Sequence, residues 1–339
     1  MKIEIIVTSF NNGAYLTKCI ESLKQQTFEE FSVIVVDDNS LENTLPYASK
    51  VIGEDQRFKL SRNKKNRGSV AIFTKYARLT QAKYIMWLHH DDWLHPEFLE
   101  KTYSALESDQ SCTFAYSLIS RVLNGRSCEE FPSAIRPDLP TGSHDISYDT
   151  AINCWIMFSS ALIRTEAYQR SGGLEYFVAK YRHRKNVPIL RRGEPDLYLF
   201  AKLASLGRVY VINERLCHYR YHLESNTSLL KKFHIQDNLR TYDLIFDEVE
   251  FFSEEIRIVC KINSISRLAT ACSFSDVAYQ FLYKSKISRE FEHIRRRVIK
   301  NLLIVLSRFI RDDQSRGYPH EFDQKELSFL ASILENNEN

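Results

Sequence analysis

An apolar run, Tyr84-Ile85-Met86-Trp87-Leu88, ends abruptly in His89-His90-Asp91-Asp92-Trp93, and Pro96 follows shortly after. The chemistry such a pair of carboxylates can do is to hold a cation. Two adjacent acids repel, and burying them unpartnered is costly. A divalent ion relieves both penalties, and hard oxygen ligands suit Mg or Mn. The same residues also fit a surface turn with two solvated aspartates, or acids favoured by a helix N-terminus. A second acidic cluster, Asp37-Asp38-Asn39-Ser40, follows the apolar Phe31–Val36. A carboxylate there can accept the imide N–H of a uracil ring or a ribose hydroxyl, a contact that discriminates strongly when buried. It can equally close an Asx turn. Asp196, in Gly193-Glu194-Pro195-Asp196-Leu197-Tyr198, can deprotonate an attacking hydroxyl if burial or Glu194 raises its pKa. An acid beside Pro is also an ordinary helix start. His222, after Tyr219-Arg220-Tyr221, can reach a pyrophosphate or a metal from a closing loop, or serve only structure.

These groups need elements to position them. Ile3–Val7 is a short strand running into the turn formers Thr8-Ser9-Phe10-Asn11-Asn12-Gly13. Tyr15–Gln26 has helical spacing, with Leu16, Cys19, Ile20 and Leu23 on one face. Phe31–Val36 is nearly all apolar, as a sheet covered on both faces requires. Phe58–Leu60 is a short third strand, and Asn66-Arg67-Gly68-Ser69 precedes a helix to about Ala82. Tyr84–Leu88 is the fourth strand, with a helix from Pro96 to about Ser108. Strand character then recurs at Phe114–Val122, Ile156–Arg164 and Val209–Ile212, with a helix over Asp196–Leu206. Strands alternating with helices predict an α/β domain whose ligand crevice lies at the carboxyl ends of the strands. The clusters at Thr8–Asn12, Asp37–Ser40 and His89–Asp92 all fall there. Beyond about Leu229 the pattern is helical to the end. The expected organisation is therefore an α/β domain over 1–228 and a helical region over 229–339.

Composition narrows the classes. A formal net charge of +3 over 339 residues is too small to argue for nucleic acid or membrane as a general partner. The seven cysteines are dispersed, odd in number and lack a C-x-x-C pair, against a disulfide framework or a structural zinc. The N-terminus reads as a strand rather than a signal peptide, and the longest apolar stretch, around Leu302–Leu306, is far short of a bilayer span. The expected location is cytoplasmic, with peripheral contact at the inner face of the membrane left open. No G-x-G-x-x-G follows the first strand, and neither a P-loop nor a G-x-S-x-G elbow occurs.

The motifs together resemble the family 2 glycosyltransferases, which have the GT-A fold. The resemblance runs through Val7-Thr8-Ser9-Phe10-Asn11-Asn12, Cys19-Ile20-Glu21-Ser22-Leu23-Lys24-Gln25-Gln26-Thr27, Val35-Val36-Asp37-Asp38-Asn39-Ser40, Asn66-Arg67-Gly68, Leu88-His89-His90-Asp91-Asp92-Trp93-Leu94-His95-Pro96 and 194–207. It covers residues 1–228 and implies a mixed, mostly parallel central sheet. It implies an inverting, metal-dependent transfer from a nucleotide-sugar donor, a UDP-sugar by default, to a saccharide or lipid-linked acceptor, as in bacterial surface polysaccharide synthesis. By the same resemblance Thr8, Phe10 and Asn12 lie against base and ribose, and Asp38 binds the base beside Asn66 and Arg67. Asp91 and Asp92 fill the metal motif, with Asp92 the direct ligand and Asp91 turned to ribose, sugar or metal. Asp196 is the catalytic base with Glu194 its neighbour, and His222 lies on the pyrophosphate loop. The expected cofactor is Mn or Mg.

Three positions depart from the family pattern. His89 stands where many members carry an acid, Lys75-Tyr76-Ala77 where many carry an Asn, and Pro195 splits the usual Glu-Asp pair. A nucleotide-sugar-binding scaffold without turnover is the rival of a different class; a sugar-1-phosphate nucleotidyltransferase would need a Gly- and Arg-rich loop that is missing here. The basic segment 180–192 is expected to order over donor or acceptor phosphates, or to be a solvated loop. The Arg- and Lys-rich stretch 284–316 offers an anionic-membrane face, a self-association surface, or plain helical packing, which its apolar residues favour.

Overall fold

In a computed structural model the chain divides into two compact units, Met1–Asp237 and Asn238–Asn339. The structure describes residues 1–123, 126–128, 139–152, 154, 156–182, 194–222, 241 and 244–250. The segment 183–193 and the stretch 284–316 thus lie outside the described residues, as does nearly all of the expected helical region from 229. In the second unit, 244–248 is helical and Leu244, Ile245 and Val249 are buried.

The first unit is built on a ten-stranded mixed sheet. In chain order its elements are β1 (Ile3–Ser9), α1 (Gly13–Lys24), β2 (Phe31–Asp37), α2 (Leu45–Ile52), β3 (Phe58–Arg62), α3 (Ser69–Leu79), β4 (Tyr84–His89), β5 (Trp93–Leu94) and α4 (Phe98–Ser108). There follow β6 (Cys112–Leu123), β7 (Arg126–Cys128), β8 (Gly142–His144), α5 (Ser147–Ile152), a 3-10 turn (Phe158–Ser160), β9 (Ala161–Arg164), α6 (Thr165–Arg170), α7 (Glu175–Arg182), α8 (Pro195–Leu206) and β10 (Arg208–Tyr221). The sheet order is β3-β2-β1-β4-β9-β6-β10-β5. The first four strands are parallel, β9 runs antiparallel to β4 and β6, and β6 and β10 are parallel again.

Period-two burial sets the two faces. Ile3, Ile5 and Val7 of β1, Phe31, Val33 and Val35 of β2, and Tyr84, Met86 and Leu88 of β4 share one core with Leu16, Cys19, Ile20 and Leu23 of α1 and Phe98, Leu99 and Leu106 of α4. The opposite face is aromatic. Trp87 stacks on Phe73 of α3 at 4.9 Å and 9° and touches Phe158 at 4.3 Å, which in turn meets Phe200 of α8 at 5.4 Å. Two glycines matter to the frame. Gly68 enters α3 at φ 83°, a conformation costly for other residues, and a Cβ on Gly13 would sit 2.6 Å from the Tyr47 ring, so a side chain there would have to displace that ring.

The elements extend the sequence reading at its irregular end. The last strand, expected over 209–212, continues to Tyr221. Polar Asn213-Glu214-Arg215 break the apolar pattern, but they fall where register shifts occur, and the strand resumes beyond them. The stretch 156–164 is a 3-10 turn leading into a four-residue strand rather than one continuous strand. The helix expected from Pro96 begins at Phe98, the one expected to about Ala82 ends at Leu79, and the short α2 has too few residues to show periodicity.

Candidate metal and nucleotide site

The parallel register places three strand ends side by side. Ser9 pairs with Asp37, and Thr8 with His89. The loops that follow β1, β2 and β4 therefore leave the sheet at one edge. They are stitched together: the Asn11 N–H donates to Ser40 Oγ (2.8 Å), and the Leu41 N–H donates to Asn11 Oδ1 (3.1 Å). Asn11, Asn12 and Asn39 all adopt positive φ, which Asn tolerates better than most residues.

His89, Asp91 and Asp92 converge, each able to offer one ligand atom, with those atoms within 4.8 Å of one another. The two aspartates differ. Asp92 is 1% exposed; its Oδ1 accepts the Arg220 backbone N–H at 3.1 Å, and its Oδ2 is buried with no hydrogen-bond partner at bonding geometry. Burial and the Asp91 charge push its pKa well above the carboxylate range, against the smaller pull of the Ser159 hydroxyl and Arg220. Asp91 is more open, its side chain 17% exposed, and its Oδ2 meets His222 Nε2 at 3.1 Å. Burial pushes its pKa up too, but the His222 hydrogen bond and the neighbouring His90 and His89 outweigh this and hold it at about 2. Burial, partly offset by Asp91, lowers the pKa of His89 and His90, so both are neutral imidazoles at pH 7.

The other pair is saturated from within. Asp37 Oδ1 accepts the Ser40 N–H (2.9 Å), and its Oδ2 accepts the Thr44 N–H (2.9 Å) and hydroxyl (2.5 Å), with Arg62 Nε 3.5 Å away. Asp38 Oδ1 accepts Asn63 Nδ2 (2.8 Å) and the Arg67 N–H (2.9 Å), and its Oδ2 accepts the Gly68 N–H (2.7 Å). Asp38 thus holds the Asn66-Arg67-Gly68 loop against the end of β2, with Asn66 Oδ1 accepting the same Gly68 N–H at 3.1 Å.

Other predicted residues are placed as follows. The Thr8 hydroxyl accepts the Trp87 Nε1–H at 2.9 Å and is buried on the aromatic face. Phe10 projects from the β1 loop and is 46% exposed, and Asn12 precedes α1 in the left-handed region. Glu194 caps α8, and Asp196 lies in its first turn, its Oδ1 accepting the Leu197 N–H at 3.0 Å. Burial raises the pKa of the nearby Cys154 thiol, and the charges of Asp196 and Glu194 add to that. The Asp196 hydrogen bond to Leu197 thus lies within its own helix.

Arg220 escaped the sequence reading. Its backbone N–H serves Asp92, its Nε donates to the Asp91 carbonyl at 3.0 Å, and its guanidinium lies over the rings of Tyr15 (4.6 Å) and Trp93 (4.8 Å). Trp93 stacks on His218 at 5.1 Å, and Tyr15 meets His222 at 5.1 Å. The signal was present: His218 and Arg220 alternate along one face of β10, and His222 follows just past its end. Ending that strand at Ile212 hid it.

With this geometry in view, the comparisons with known proteins fall into place. The structure of S. aureus TarS 1-349 in complex with UDP-GlcNAc superimposes with a TM-score of 0.59 at 18% identity, over 90% of this chain and 81% of that one. The fold is GT-A. Residues 4–161 match the model of Glycosyl transferase family 2. It is 28% identical over 99 residues to the putative glycosyltransferase EpsH of Bacillus subtilis, 29% of this chain and 28% of that protein. It is 23% identical over 352 residues to chondroitin synthase of Pasteurella multocida, 99% of this chain and 35% of that protein. The chain thus spans about a third of the length of these relatives. No helix among the described residues is long and apolar enough to cross a membrane.

Proposed function

We propose that the protein is an inverting, cation-dependent glycosyltransferase. It moves a sugar from a nucleoside-diphosphate donor, a UDP-sugar by default, to a hydroxyl of a saccharide or lipid-linked acceptor in bacterial surface polysaccharide synthesis. The observation that carries this reading is the Asp91–Asp92 pair. A buried carboxylate oxygen with no donor at bonding geometry lies beside a second acid and an imidazole, at the edge where three strand loops meet. A buried unsatisfied carboxylate is expensive, and a cation is its ordinary remedy. Asp92, whose Oδ2 is the unpartnered oxygen, is the leading candidate for the direct ligand, with the more open Asp91 turned to ribose, sugar or cation. When bound, a Mn or Mg ion would neutralise charge on the departing diphosphate.

The remaining chemistry belongs to the chain's own side chains. Asp196 takes the proton of the acceptor hydroxyl while that oxygen bonds the anomeric carbon. The bond from that carbon to the phosphate oxygen breaks, and its electron pair leaves with the nucleoside diphosphate. His222, held against Asp91, faces the diphosphate. Phe10 offers an open aromatic surface to the base. Asp38 fixes the Asn66–Gly68 loop that borders it, a shaping role beside the direct base contact suggested by resemblance.

The test is a thermal-shift screen of nucleotide sugars with Mn present, followed by transfer assays of the best donor. Asp196→Asn is expected to leave the donor-induced shift intact and to cut transfer by about 10²–10⁴-fold. Near-normal turnover in that variant removes Asp196 from the role, and a screen in which no nucleotide sugar shifts the melting temperature overturns the donor assignment.

A further inference from the structure

We propose that His89 is a nitrogen ligand of the cation, and that this makes the site select a transition-metal ion over magnesium. The inference rests on the metal reading given above and adds a specificity that the two carboxylates alone would not supply. His89 ends β4, and its ligand atom falls within 4.8 Å of those of Asp91 and Asp92. Its backbone is fixed from two sides: its N–H donates to Ser159 Oγ at 3.2 Å, and its carbonyl accepts from Cys19 Sγ at 3.8 Å. Its ring stands edge-on to Trp87 at 5.0 Å and 77°, with Phe158 at 6.3 Å. Trp87 is itself locked by Phe73 and by its bond to Thr8. The imidazole is therefore aimed by a rigid aromatic wall, the support a ligand needs to keep its geometry.

The donor set decides the metal. Magnesium demands near-octahedral oxygen coordination and gives up water reluctantly. Imidazole suits first-row transition ions, and affinity at mixed nitrogen and oxygen sites rises from manganese through cobalt and nickel. One neutral nitrogen beside two carboxylates also lowers the negative charge that would otherwise attract magnesium. An acid at position 89 would give an all-oxygen site; His89 gives a mixed one.

The experiment uses the full chain with UDP and reads binding rather than turnover. Equilibrium dialysis gives the affinities for Mn, Co and Mg, and pulsed electron paramagnetic resonance of bound Mn reports any directly bonded nitrogen. The wild type is expected to show nitrogen coupling and to prefer Mn and Co over Mg. In His89→Asp that preference should fall by at least about tenfold and the coupling should vanish. His222→Gln should keep the coupling, which separates His89 from the other imidazole near Asp91. Nitrogen coupling that survives His89→Asp and disappears in His222→Gln overturns the assignment. Manganese that binds without any nitrogen coupling overturns it too while leaving the metal reading in place. No Mn binding in the presence of UDP defeats both.

Discussion

Two Asp-Asp pairs end β2 and β4, the parallel strands on either side of β1, and they have opposite fates. Asp37 and Asp38 accept six hydrogen bonds, three from their own loop and three from the loop after β3. Asp91 and Asp92 meet a histidine, one backbone N–H and, at Asp92 Oδ2, no donor at bonding geometry. In sequence the pairs look alike. In the fold the first closes turns and the second is left incomplete. Burial would raise the pKa of any of these acids. At Asp37 the donors from Thr44 and Ser40 outweigh burial and the pKa falls below the ordinary value, whereas at Asp92 burial and Asp91 prevail and it rises. A satisfied carboxylate pair stabilises a fold, and an unsatisfied one stores cost that a ligand can relieve.

The sharpest way to break this contrast is to neutralise one acid of each pair. Asp91→Asn should cut sugar transfer by about 10³-fold, roughly 4 kcal/mol of transition-state stabilisation, and leave the melting temperature within a few degrees of wild type. Asp37→Ala should do the reverse. It strips acceptors from two buried N–H groups and the Thr44 hydroxyl, so urea unfolding should show a loss of about 3 kcal/mol. If Asp37→Ala melts like wild type while Asp91→Asn unfolds, the contrast is inverted.

Acid titration sharpens the same point. The folded-state pKa of Asp37 is depressed, so its contribution is full above the unfolded value of about 3.9 and is lost as pH falls through the lower folded value. The stability gap between wild type and Asp37→Asn should be constant at neutral pH and shrink below about pH 4. A gap that instead widens on acidification would mean that the Asp37 carboxylate is destabilised in the fold.

The fold was legible wherever periodicity was clean. Ile3–Val7, Phe31–Val36 and Tyr84–Leu88 are uninterrupted apolar strands, and Leu16, Cys19, Ile20 and Leu23 mark their helix plainly. That the loops meet at one edge was legible because turn residues and acids recur at the same end of successive strands. What could not be read was partnership. No pattern says that Asp38 is spent on Arg67 and Gly68, that the Thr8 hydroxyl is taken by Trp87 seventy-nine residues away, or that Asp92 Oδ2 is left alone. Such facts depend on which loops meet across the sheet edge. Arg220 was lost for a local reason: Asn213-Glu214-Arg215 interrupts the apolar alternation, and a register shift there carries the strand on to Tyr221.

Arg220 supplies the smallest effect and the finest test of the contrast. Its backbone N–H bonds Asp92, and its guanidinium bonds the Asp91 carbonyl between the Tyr15 and Trp93 rings. Arg220→Lys keeps the charge and the backbone N–H but loses the planar stacking and the Nε contact. Cation–π contacts at partly exposed sites are worth about 0.5–1 kcal/mol each. The expected outcome is a melting temperature lower by a few degrees and cation affinity weakened about three- to tenfold, since Asp91 and Asp92 are then less well held. Asp37 and Asp38 have no contact with Arg220 among those described, so the low-pH stability gap of the Asp37→Asn comparison should be the same in the Arg220→Lys background. A change in that gap would show that the two acidic pairs are energetically coupled through the loops that join them, and that the satisfied pair tunes the unsatisfied one.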